Sequence, residues 1–81
     1  MPGILYNTPM SKERLQNRLR VARAERKLSQ EQLADLAGVT RQTISSIENE
    51  QYGPSALLAF VLARRLDKPV NELFYLEENT P

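Results

Sequence analysis

Cysteine and histidine are both missing from these 81 residues. Without cysteine there is no disulfide, and without either residue the usual zinc sites are lost. The lack of histidine also removes imidazole-based acid–base and nucleophilic catalysis. No nucleophile–base pair, metal-ligand cluster or Gly-rich phosphate loop takes their place, so an enzyme is the weakest reading. Neither a cofactor nor a metal is expected. Long hydrophobic runs are scarce as well. The longest, Ala56 to Ala63, has eight residues, far short of the roughly 20 needed to cross a bilayer. The N-terminus lacks the basic region and long apolar stretch of a secretion signal. The expectation is a cytoplasmic protein with no membrane partner, which the lack of cysteine fits. This length makes one small domain whose core supplies only a few kcal/mol, and such domains often dimerise.

A strong excess of one charge is also absent, since the net charge is +1. The distribution is less even. Up to Ile47 there are eight basic and four acidic residues; from Glu48 onward there are three basic and six acidic ones. A basic half followed by an acidic half fits a polarised polyanion binder. A merely solvated helix face would explain the same charges.

Residues 1–10 contain Pro2, Gly3 and Pro9, with only Ile4, Leu5 and Tyr6 suggesting order. They read as an arm, either unstructured or one short strand. Met10-Ser11-Lys12-Glu13 would also serve as a translation start, which would make the first nine residues a leader. A domain is expected over 11–76 and a polar tail over 77–81. The first helix is predicted from Lys12 to Lys27, capped by Ser11, with Leu15, Leu19 and Ala22 as its apolar stripe. A second covers about Gln30 to Ala37 and a third about Arg41 to Glu50. A loop through Tyr52, Gly53 and Pro54 leads to Ser55, which can cap a fourth helix ending near Leu66. A final short helix spans Val70 to Phe74. No strand alternation of useful length is evident.

The stretch from Ser29 to Asn49 carries the most information. Ser29 can cap the second helix, with Gln32 three residues on completing a capping box. Leu33, Ala34 and Ala37 share one side of it, and Gly38 can take the positive φ that ends it. Thr40 can cap the third helix, whose inward positions are Ile44 and Ile47. Two short helices meeting across a glycine make a helix-turn-helix, and the second would lie in the DNA major groove. Arg41, Gln42, Ser45 and Ser46 then face outward as candidate base readers. Arginine pairs with guanine O6 and N7, glutamine with adenine N6 and N7, and serine adapts to either. Gln30, Thr40, Thr43 and Asn49 are candidates for phosphate, three of them at helix starts where free N–H groups and the positive dipole end converge. Each has a plainer reading, as a solvated surface residue or a local cap.

Ser29-Gln30 through Ile47-Glu48-Asn49, followed by Pro54-Ser55, Leu62-Ala63 and Leu66, resembles the Cro/cI-type (XRE, lambda-repressor-like) helix-turn-helix family of transcriptional regulators. The similarity runs from about Arg18 to Phe74 and extends to the Leu73–Glu78 ending of short, stand-alone members. It implies an all-α, compact five-helix fold and a homodimer on a palindromic operator in double-stranded DNA. It also implies base reading by Arg41, Gln42 and Ser46 and backbone contacts from Gln30, Thr43 and Asn49. An internal ion pair between Arg23 and Glu48 would follow too. The sequence departs from the family where a glycine and a basic residue usually follow Glu-Asn. Glu50 and Gln51 stand there, so Asn49 is expected to accommodate the turn.

The fourth helix is apolar nearly all round. Ala59, Leu62, Ala63 and Leu66 suffice for the domain's own core, which leaves Leu57, Leu58 and Val61 as a candidate dimer interface. The alternative is a wider core covered by the first and fifth helices. The leading expectation is therefore a dimeric DNA-binding regulator, a repressor without a ligand-binding domain of its own. The rival from another class is a protein-interaction module, an antitoxin or bridging factor working through the fourth helix.

Overall fold

Two strands and five helices follow one another in the computed structural model, which describes residues 13–78. They are β1 (Glu13–Asn17), α1 (Leu19–Glu25), α2 (Gln30–Ala37), α3 (Arg41–Glu48), α4 (Ala56–Leu66), α5 (Val70–Leu73) and β2 (Phe74–Glu78). The arm expected over 1–10, the Ser11 cap and residues 79–81 of the tail lie outside the described residues.

Every helix contributes to one core. Leu19 and Ala22 of α1 meet Leu33 and Ala34 of α2, Ile44 and Ile47 of α3, Leu62, Ala63 and Leu66 of α4, and Leu73 of α5. Each fully buried Leu or Ile contributes roughly 1.5–3 kcal/mol. That exceeds the ~1 kcal/mol of a typical N-cap, so the core sets where the helices pack and the caps set where they begin. Ser29 forms the full capping box, accepting from Gln32 N at 3.0 Å while its own N–H donates to Gln32 Oε1 at 2.8 Å. Thr40 accepts from Thr43 N at 3.2 Å and Ser55 from Leu58 N at 3.1 Å.

The helix ends are more uniform than the sequence suggests. Each of α1 to α4 closes with one residue in the left-handed region: Lys27 (φ 58°), Gly38 (φ 75°), Glu50 (φ 62°) and Asp67 (φ 55°). The following N–H then reaches back to the last turn, as from Leu28 to Arg23 O at 3.1 Å and from Gln51 to Ser46 O at 2.9 Å. This is the Schellman arrangement, which satisfies carbonyls that have no partner inside the helix. Side chains from neighbouring elements satisfy others. Asn17 Nδ2 donates to Ile47 O at 2.9 Å, Arg26 Nε to Leu66 O at 3.0 Å, and Arg65 Nε to Leu36 O at 2.9 Å. The turn after α3 falls on Glu50, not on Asn49, which keeps φ at −89°.

The fold is not all-α, and the first helix is shorter than its apolar spacing predicts. Residues 13–17 form β1, antiparallel to β2, with Leu15 opposite Leu76 and Asn17 opposite Phe74. Glu-Arg-Leu-Gln-Asn is composed of reasonable helix formers, but Phe74-Tyr75-Leu76 offers a β-prone partner, and local propensity yields to such pairing. Asn17 fixes the boundary, because its Oδ1 accepts from Leu19 N at 3.1 Å and so begins α1 there. Arg18 N then donates to Leu73 O at 2.9 Å, tying the start of α1 to the end of α5. Glu77 and Glu78, expected in a polar tail, belong to β2. Among the described residues no helix is long and apolar enough to cross a membrane.

Space around Gly38 is open, with no atom within 4 Å of an added Cβ. Gly38→Ala should therefore cost only the left-handed conformation, about 1–2 kcal/mol. Lys27→Gly, at an exposed residue with the same conformation, should stabilise by up to about 1 kcal/mol. Urea midpoints of the two variants check both signs.

Candidate nucleic-acid interface

The two helices of the Ser29–Asn49 stretch are rigidly coupled. Leu33 and Ala34 pack from α2, Ile44 and Ile47 from α3, and all four are buried. With Ile44, Ile47 and Glu48 inward, the 3.6-residue period turns Gln42, Ser46 and Asn49 to the opposite side, with Ser45 on its flank. Arg41 lies on the Ile44–Glu48 side and is exposed because it stands at the helix start. Arg41, Gln42 and Asn49 are exposed, while Ser45 and Ser46 are half-buried. The start of this row is held by Thr40, whose Oγ1 also lies 3.0 Å from Thr43 Oγ1. Both threonine hydroxyls are thus engaged with each other at the helix start.

Beneath the other end of α3 lies Glu48, the one buried charged residue among those described. Its Oε2 accepts from Arg23 Nε at 2.7 Å, and its Oε1 accepts from Arg23 Nη2 at 3.2 Å, Gln30 Nε2 at 3.1 Å and Arg20 Nε at 3.3 Å. Burial alone would raise the carboxyl pKa, but donors from Arg23, Gln30 and Arg20 and the Arg23 charge outweigh it and hold it below the usual value. Arg23 also donates from Nη1 to Leu28 O at 2.9 Å. Its guanidinium is spent inside the protein, in the structural pairing expected for it with Glu48.

Two candidates for phosphate contact have internal partners as well. Gln30 gives one amide hydrogen to Glu48, and Asn49 Oδ1 accepts from Arg20 Nη2 at 3.1 Å. Gln30, Asn49, Arg20 and Arg23 are thus brought around one carboxylate. Sequence reasoning did not single out Arg20 for this cluster. Its signal was its place three residues before Arg23, on the same helix face.

The arginines of the basic half differ in what they have left to offer. Arg14 lies 3.9 Å from Glu50, Arg26 is 3.7 Å from Asp67, and Arg18 stands over the Tyr75 ring at 5.7 Å. Arg41 has no ion-pair or hydrogen-bond partner among the described residues. At the position where the family resemblance implies glycine, Glu50 adopts the conformation that glycine takes most easily.

On α4 the apolar residues divide into two faces. Leu58 packs against the core, whereas Leu57 and Phe60 are 75% and 61% exposed. Phe60 therefore joins Leu57 and the half-buried Val61 on the outer face, a position that the sequence reading passed over.

The helix-turn-helix family model matches residues 19–73, which holds all five helices. The chain belongs to the XRE-type helix-turn-helix family of transcriptional regulators. It is 39% identical over 64 residues to YgzD, an uncharacterized HTH-type transcriptional regulator of Bacillus subtilis, covering 79% of this chain and 97% of that one. An uncharacterized HTH-type transcriptional regulator of Methanothermobacter thermautotrophicus is 44% identical over 62 residues, covering 75% and 90%. Among solved structures, the restriction-modification controller protein C.AhdI of Aeromonas hydrophila aligns with a TM-score of 0.67 and 40% identity, over 70% of this chain and 83% of that one. In helix-turn-helix domains the second helix of the motif lies in the major groove; the second helix of the motif in this chain is α3.

Glu48 ties the fold to pH. Its folded-state pKa is lowered, so its contribution is complete above the ordinary value of 4.5. It is lost as pH falls below that value towards the folded one. Glu48→Gln should destabilise by about 3–5 kcal/mol at pH 7, because it leaves Arg23 uncompensated in the interior. The gap between the two proteins should narrow on acidification below 4.5, as read from urea titrations at several pH values. A gap that stays constant with pH would mean that the ionised carboxylate is not the source.

Proposed function

We propose that this chain is a sequence-specific double-stranded-DNA-binding transcriptional regulator, a repressor that acts as a homodimer on a palindromic operator. The observation that carries this reading is the exposed polar surface of α3, whose first residue, Arg41, is a cation without an internal partner among the described residues. Arg41 and Gln42, with Ser45 and Ser46 further along, read base edges. Gln30, Thr40, Thr43 and Asn49 contact the flanking phosphates through their remaining donors and the helix-start N–H groups. Gln30 has a second amide hydrogen for this, and the amide nitrogen of Asn49 is left over from its bond to Arg20.

Dimerisation is supported by the outer face of α4. Leu57, Phe60 and Val61 form an apolar strip on a small domain, where burial against a second copy is worth more than exposure. A two-fold pairing there would set two α3 helices about 34 Å apart, one turn of DNA. One α3 reads only a few base pairs, so the pairing supplies the length of site that repression of a single gene requires.

Arg41→Ala should weaken binding to the selected operator by roughly 10- to 100-fold, or about 1–3 kcal/mol, and relax preference at one base pair. Its effect on random duplex should be small. Selection from a random duplex pool supplies the operator, and fluorescence anisotropy reads both affinities. Unchanged operator affinity would remove the base-reading assignment.

Phe60→Glu should convert the dimer to monomer without unfolding it, because Phe60 stands outside the core. Sedimentation velocity reads the mass, and the same variant should lose operator binding far more than random-duplex binding. A monomeric wild-type protein would count against the homodimer.

A further inference from the structure

Arg20 is the one arginine of α1 whose charge is both surplus and exposed. The negative charge of Glu48 is already matched by Arg23, which meets both carboxylate oxygens and is 16% exposed. Arg20 adds a second positive charge to the same buried carboxylate, yet its own side chain is 61% exposed. Two contacts hold its guanidinium in place: Nε to Glu48 Oε1 at 3.3 Å and Nη2 to Asn49 Oδ1 at 3.1 Å. A guanidinium carries five N–H donors, so three remain for an external acceptor. On one side of it stands Gln30, at the start of α2, with an amide hydrogen to spare. On the other stands Asn49, whose carbonyl oxygen is taken by Arg20 and whose amide nitrogen therefore remains as donor. The group exposed here is one fixed cation between two amide donors, and the carbonyl oxygen of Asn49 is turned to Arg20.

We infer that Arg20 grips a backbone phosphate of the bound duplex, with Glu48 and Asn49 as the groups that orient it. This deepens the DNA-binding reading and rests on it. Asn49 lies on the outer row of α3, four residues from Ser45, so a phosphate at Arg20 borders the groove that α3 enters. Fixing the guanidinium before DNA arrives reduces the side-chain entropy lost on binding. A planar fork also suits a phosphate's paired oxygens better than a point charge does. Arg14, Arg18 and Arg26 do not serve in the same way. Glu50 offsets Arg14, Asp67 offsets Arg26, and Arg18 lies over an aromatic ring.

The test is the salt dependence of binding to random-sequence duplex, followed by fluorescence anisotropy. Each phosphate neutralised contributes about 0.9 to the slope of log K against log salt. Arg20→Met keeps much of the aliphatic stem and removes the charge. It should lower the slope by about 0.9 and weaken operator and random duplex by the same factor. Arg20→Lys should keep the wild-type slope but lose roughly 3- to 10-fold in affinity, because lysine cannot hold both Glu48 and Asn49 while facing the phosphate. If Arg20→Met proves unstable in a thermal melt, Arg20→Lys still decides the orienting role. A wild-type slope in folded Arg20→Met overturns the phosphate contact, and wild-type affinity in Arg20→Lys overturns the positioning by Glu48 and Asn49. Lack of salt-dependent binding by the unaltered protein would instead remove the DNA reading itself.

Discussion

The buried carboxylate of Glu48 is the constraint around which the helix-turn-helix is assembled. It sits at the last turn of α3 and takes donors from α1 through Arg20 and Arg23 and from α2 through Gln30. Three helices are thus oriented by one group in addition to their apolar contacts. A buried ion pair is weak evidence for net stability, since desolvation offsets much of the attraction. Its value here is directional. Leu and Ile packing tolerates sliding by fractions of a turn, whereas a carboxylate with four donors between 2.7 and 3.3 Å does not. This interaction holds α3 in register with α1 and α2, which the proposed alignment of several side chains with base edges would require.

A second feature works in the same direction. Each helix from α1 to α4 ends in a left-handed residue, and several of the carbonyls there are bound by a side chain from another element. Asn17 holds the end of α3, Arg26 the end of α4 and Arg65 the end of α2. In so small a domain the core alone leaves little margin. Satisfying helix ends across elements adds order without adding volume. The cost is conformational, since only Gly38 among the four left-handed residues has no Cβ.

Much of this was legible beforehand, and the reasons differ by residue. Ser29, Gln32, Gly38, Thr40 and Ser55 declare helix boundaries locally, because capping depends on neighbours three residues away. Ile44, Ile47, Leu33 and Leu62 declare burial through period alone. The strands were not legible, because Leu15, Leu19 and Ala22 fit a helical stripe and the partner of β1 lies about 60 residues away, beyond any local pattern. The turn at Glu50 was missed for a different reason: glycine and asparagine advertise positive φ, whereas glutamate does not. Phe60 was obscured because α4 is apolar on several faces, and only the packed structure separates Leu58, turned to the core, from Phe60, turned away. Arg20 resembled any solvated arginine until Glu48 and Asn49 were found beside it.

Glu50 brings these strands of reasoning together. An acid close to the expected DNA surface repels phosphate, and a residue with a Cβ strains the left-handed turn. Either alone argues against a DNA contact at the end of α3. The structure reduces the first penalty, since Arg14 of β1 stands 3.9 Å from Glu50. That contact exists only because residues 13–17 form a strand beside β2 and not the first turns of a longer helix. The small sheet therefore has a consequence at the candidate interface, which is to bring a compensating charge to Glu50. With Glu50 balanced by Arg14, the positive charge that remains beside the last turn of α3 is that of Arg20. The end of α3 then keeps a positive charge beside it, although Glu50 and Gln51 stand where the family resemblance implies a glycine and a basic residue.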